Sequence, residues 1–212
     1  MKTKTPDATS WLSPSEVMDA LYDVRAAECE ALGYALLRQR AKNKPNAAGQ
    51  LIRSKLAPVR PDASARTTSC GVATTARDHR VILAAGAPDA PLTHLLDDYD
   101  AAVRPHQRLL AAVLTLRCAF DQPLHDLFDA ATAFTAMQIA RRRRLSSVII
   151  AHAPGDELSD AAPHVHICLL ARRHGPSGWG AVDADLTDTA HQAWCDEWQG
   201  FNAAWQNITP NA

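Results

Sequence analysis

LSSVIIAHAPGDELSDAAPHVHICLLARR, running from Leu145 to Arg173, is the stretch whose reading decides the fold. Two apolar runs, Val148–Ala151 and Val165–Ala171, flank a polar loop, which is the pattern of neighbouring strands. Successive strand residues point to opposite faces, so His164 and His166 share one face while Val165 and Ile167 occupy the other. Pro163 favours an extended entry into the second strand. His152 closes the first run, and antiparallel pairing would set it beside the other two histidines. Neutral imidazole is a good ligand for divalent metal, and three imidazoles leave positions open for water or a phosphate oxygen. The plainer reading of the same pattern is a pair of half-exposed strand histidines. Cys168 falls on the histidine face and suits a small buried thiol better than a ligand.

Working outward, Leu110–Cys118 alternates as a half-buried strand, Arg80–Ala85 is a short strand, and Leu92–Val103 is helical. Asp126–Arg144 reads as an amphipathic helix with Leu127, Ala131, Phe134 and Met137 on its buried face. It ends in Arg141, Arg142, Arg143 and Arg144. Cations are favoured at a helix C-terminus by the macrodipole, and the same four can grip a DNA backbone. Past the histidines, Trp179 in a Gly/Pro/Ser loop is the candidate for stacking on a base. Trp194, Trp198, Phe201 and Trp205 form one stripe of a final helix, as core packing requires.

At the amino end, Ser13, Pro14 and Glu16 make a helix start, and Val17, Leu21, Val24, Ala27 and Ala31 continue one face toward about Arg40. From Arg38 to Arg60 the basic residues Arg38, Arg40, Lys42, Lys44, Arg53, Lys55 and Arg60 meet no acidic one, and Arg38 to Lys44 is a candidate phosphate-binding arm. Pro58 and Pro61 mark a linker. The expectation is therefore a mainly helical, basic segment over 1–66 and an α+β domain over 67–212. That domain is an antiparallel sheet flanked by helices, with the histidines facing a cleft.

The 212 residues are 47% hydrophobic with a net charge of -1, so affinity for nucleic acid must come from local patches rather than a global field. No apolar run approaches the ~18 residues of a membrane span, and the polar opening lacks the apolar core of a signal peptide. A cytoplasmic protein is expected. Five scattered cysteines without Cys-x-x-Cys spacing argue against a disulfide framework or a thiolate zinc site.

His152-Ala153-Pro154, an acidic loop, and Pro163-His164-Val165-His166-Ile167 resemble the metal-binding region of plasmid mobilisation relaxases of the MobA/MobL type, members of the His-hydrophobic-His endonucleases. The resemblance covers about residues 110–205. It implies Mg²⁺ or Mn²⁺ on His152, His164 and His166, with Asp156 or Glu157 assisting. It also implies single-stranded DNA at a transfer origin as substrate, other mobilisation proteins as partners, and a tyrosine that attacks the phosphodiester. The family's opening strand and its Ala-rich helix bearing a Tyr-Arg pair have no counterpart here. Of the tyrosines, Tyr34 is the first choice for nucleophile and Tyr22 the second. Tyr99 lies among Asp97, Asp98 and Asp100, where negative charge would raise its pKa. Two further readings stand beside this one. Pro163–Leu170 also resembles the histidine-triad nucleotide hydrolases, with Cys168 in place of the third histidine. Alternatively, the chain is a relaxase-derived protein that has lost its nucleophile and binds DNA or a partner.

Overall fold

Apolar residues crowd Leu109–Arg117, Leu145–His152 and His164–Gly175, and strands of that composition need cover on both faces. They receive it. The computed structural model describes residues 10–25, 29–62, 66–69, 71–119, 122–153, 155 and 162–208. Its strands are β1 (Leu21–Val24), β2 (Leu32–Arg38), β3 (Arg40–Ala41), β4 (Lys44–Pro45), β5 (Arg66–Thr67), β6 (Ala73–Thr74), β7 (Asp78–Ile82), β8 (Leu109–Arg117), β9 (Leu145–His152), β10 (His164–Gly175) and β11 (Gly178–Val182). Its helices are α1 (Pro14–Ala20), α2 (Ala48–Leu56), α3 (Leu92–Ala101), α4 (Leu124–Phe134) and α5 (His191–Ile208). A seven-stranded antiparallel sheet in the order β1-β2-β8-β10-β9-β7, with β11 on β10, is the frame.

One face of the sheet, with Val113, Val148, Ile150, Cys168 and Leu170, packs on α2 and α3 through Leu51, Ile52, Leu95 and Leu96. The other face, with Leu36, Leu114, Ile149 and Ile167, packs on α4 and α5 through Phe134, Trp194 and Trp198. The expected aromatic stripe is therefore core, with Phe201 and Trp205 packed at its margin.

The amino end departs from expectation. The capping box at Ser13 and Glu16 forms, but the helix stops at Ala20 and the chain turns into β1 and β2. Of the positions expected on one helical face, Ala27 lies outside the described residues. Apolar Leu32–Leu37 suits either a buried helix or a strand buried on both faces, and pairing with β8 decides for the strand. Because β2 lies inside the sheet, both cores draw on residues from either side of the boundary expected at 66. A second departure is Met137, which is 53% exposed. Helix α4 widens into a π-helical stretch over Thr135–Arg143, and the extra residue per turn rotates Met137 outward and Ile139 and Ala140 inward. A third is covalent: Cys29, just before β2, is disulfide-bonded to Cys195 of α5. No helix among the described residues is long and apolar enough to cross a membrane.

Candidate metal centre

Register builds the site. His164 lies directly opposite His152 on β9 and Arg117 on β8, and His166 lies opposite Ile150 and Thr115. The three imidazoles thus meet on the α2 face at the end of the sheet where β8 and β9 finish and β10 begins. His152 and His166 are buried and His164 is half-buried.

Each ring presents one nitrogen outward to a fixed oxygen. His152 Nε2 donates to the Lys55 carbonyl at 2.8 Å, and His164 Nδ1 donates to the Ala162 carbonyl at 2.9 Å. His166 Nδ1 meets Thr115 Oγ1 at 2.9 Å, while its Nε2 accepts from the Lys55 ammonium at 3.0 Å. The carbonyl acceptors fix the tautomers of His152 and His164, and the Lys55 ammonium fixes that of His166, so the inner nitrogens carry lone pairs rather than protons. Those lone pairs converge: His152 Nδ1 is 3.3 Å from His164 Nε2, and His164 Nε2 is 3.2 Å from His166 Nε2. An ion about 2.1 Å from each would hold neighbouring nitrogens roughly 3.0–3.4 Å apart, so the residues present fit a divalent cation. An all-imidazole donor set suits a transition metal better than Mg²⁺, which prefers oxygen. Burial first, then the charge of Lys55 and the two neighbouring imidazoles, holds His166 well below the ordinary histidine pKa. A neutral ring is the form that can bind metal. Asp156 and Glu157 lie outside the described residues.

The other predicted site residues are elsewhere. Tyr34 lies opposite Leu114 on the α5 face, is 1% exposed, and burial pushes its phenol well above the ordinary tyrosine pKa. Tyr22, opposite Leu36, belongs to that same face at the sheet's edge, with the Arg38 guanidinium 4.1 Å over its ring. Tyr99 is on the histidine side but buried, its hydroxyl donating to the Leu110 carbonyl at 2.5 Å. None of the three tyrosines of this chain stands at the cluster.

The arm Arg38–Lys44 and the four arginines Arg141–Arg144 fall at the other end of the sheet. Arg38 pairs with Leu109, and Arg144 immediately precedes β9, whereas the histidines sit where β8 and β9 end. Thr115 lies six positions beyond Leu109 along β8, about 20 Å at roughly 3.3 Å per residue. Local partners occupy several of these cations. Arg38 pairs with Asp188, Lys42 with Asp19, and Arg143 with both Glu197 and the Trp194 ring, while Arg40 donates to the Asn43 carbonyl and Arg142 to Gln138. Lys44 is in the same hairpin as Arg40, and Arg141 in the same π-helical end as Arg142. Trp179 stacks on His174 at 3.9 Å and donates to Asp98, so its ring face is already used.

Sequence reasoning missed the residues that do gather at the cluster. Lys55 comes from α2, Thr115 and Arg117 from β8, and the Arg77 amide bonds the Ala151 carbonyl beside His152. Lys55 stood within the basic run, but nothing local separates it from its neighbours. Thr115 and Arg117 become visible only once β8 is placed beside β10.

No family profile and no curated protein matches the chain. Among solved structures it is similar to one described as "Molecular Basis of Vancomycin Resistance Transfer in Staphylococcus aureus", with a TM-score of 0.52 and 11% identity. The match covers 65% of this chain and 73% of that one. At that identity the likeness is one of fold.

Proposed function

We propose that this chain is a relaxase-like protein of mobile-element DNA transfer that engages a phosphodiester of single-stranded DNA at a metal ion held by His152, His164 and His166. The observation that carries the reading is three imidazoles with outer nitrogens tied to oxygens and inner lone pairs converged. The resemblance of the histidine segments to mobilisation relaxases and the fold likeness to a resistance-transfer protein support the choice of DNA. When bound, the ion would supply positive charge that neutralises a phosphate and polarises it. The chain's own part is to orient the rings and to set Lys55 and Arg117 beside them as further phosphate partners.

The placement of the tyrosines favours binding and positioning of the strand over covalent cleavage by Tyr34 or Tyr22. The in-line attack of a relaxase needs a phenol against the metal-bound phosphate, and both candidates lie on the other side of the sheet. The nucleotide-hydrolase reading loses its support because Cys168 is fully buried in the core, with its thiol pushed up to about 12, while His152 completes the cluster instead.

The test is retention of single-stranded oligonucleotides with and without Mn²⁺, followed by a denaturing gel. Retention that depends on Mn²⁺, falls at least about tenfold in His164→Ala and leaves no covalent adduct is the expected result. An adduct abolished by Tyr34→Phe would restore the nicking reading. Mn²⁺-independent retention, unchanged in His164→Ala, would overturn the metal centre.

A further inference from the structure

The Lys55 ammonium contacts His166 Nε2, an inner nitrogen of the cluster, and it arrives there as part of a built arrangement. Asp100 of α3 holds the first turn of α2 by accepting from the Ala48 and Gly49 amides, both at 2.9 Å. The Lys55 carbonyl near the other end of α2 then orients His152, and its side chain reaches His166 Nε2. One residue therefore does two opposed things. Its backbone prepares the site for a cation, and its side chain brings a fixed positive charge against a nitrogen that the cation would use.

We infer that Lys55 couples metal binding to binding of a polyanion: its ammonium opposes the ion while the anion site is empty, and an arriving phosphate draws it off His166 Nε2. This rests on the reading of the three histidines as a metal centre. The physical basis is linkage. A divalent ion and an ammonium competing for one lone pair repel each other, and in a buried site that repulsion is little screened. A phosphate that pairs with the ammonium removes the competition, so each ligand tightens the other by the same factor. Arg117 differs, since its guanidinium donates to the Glu30 carbonyl at 3.1 Å. It would strengthen polyanion binding without competing for that lone pair.

Mn²⁺ affinity is to be measured by calorimetry on the whole chain, with and without a short oligothymidylate, for the unaltered protein and Lys55→Met. Lys55→Met keeps the stem and the backbone carbonyl while removing the charge. The expected result is that Lys55→Met binds Mn²⁺ alone about tenfold or more tightly than the unaltered protein, yet gains little from the oligonucleotide. The unaltered protein should gain about tenfold from it. Equal or weaker Mn²⁺ binding by a folded Lys55→Met, as judged by circular dichroism, would overturn the inference while leaving the metal centre intact. If neither the unaltered protein nor Lys55→Met binds Mn²⁺, the metal centre itself falls and the inference with it.

Discussion

His166 shows how much a single position can be asked to do: its Nδ1 is held by Thr115, its Nε2 faces two other rings and an ammonium, and its ring is buried. His174, at the far end of the same strand, is buried too, but its surroundings make it structural. Ser146 Oγ lies 2.9 Å from its Nδ1, and the Trp179 ring covers its face. Burial holds its pKa below the ordinary histidine value, so the folded chain resists protonation. The unfolded chain accepts a proton first as pH falls below about 6.5, and stability is lost from there downward, not on the alkaline side. His79 shifts in the same direction for the same reason. Urea midpoints should thus decline between about pH 7 and 5, and His174→Gln should shallow that decline. An identical slope in the variant would show that His174 contributes nothing to it.

Helix α2 is the element on which the site depends most, and it starts without a cap of its own. Ala47 offers no side-chain acceptor, and the Asp100 carboxylate from α3 substitutes for one. Gly49 makes room for it: a Cβ there would sit 2.7 Å from Asp100 Oδ2. Loss of a cap costs about 0.5–2 kcal/mol, so Asp100→Ala should lower stability by that order. It should also weaken Mn²⁺ binding, because the Lys55 carbonyl that orients His152 moves with α2. Unchanged metal affinity in a destabilised Asp100→Ala would separate the helix from the site. None of this was legible in the sequence, since the partners lie on different helices. The strands bearing the histidines were legible, because alternation fixes which residues share a face; that His152 joins them depended on antiparallel pairing, which the register supplies. The amino-terminal strands were not. A real capping box at Ser13 and apolar residues at helical spacing pointed to one long helix, and only the presence of β8 makes Leu32–Leu37 a strand. The shift at Met137 was hidden for a related reason, because a heptad-like count assumes a uniform turn and the π-helical stretch breaks it.

At the scale of the molecule, the sheet separates two chemistries by its length. The three histidines, Lys55, Arg77 and Arg117 gather at one end, and the arginine runs that stand out in the sequence gather at the other. Arg117→Ala should therefore weaken single-stranded DNA retention and flatten its dependence on salt, whereas Arg141→Ala should leave both nearly unchanged. The reverse ranking would place the strand on the wrong end. The Cys29–Cys195 bond ties the entry of β2 to α5 across a sequence separation of 166 residues. Opening a loop of that size costs about 2–5 kcal/mol where the bond is formed, so dithiothreitol or Cys29→Ser should lower the melting temperature. A melting curve indifferent to reductant would mean that the thiols are free in solution. The histidines, finally, owe their spacing to the ladder between β9 and β10. A one-residue slip of that ladder would carry His164 and His166 to the α5 face, so metal occupancy would report strand registration directly.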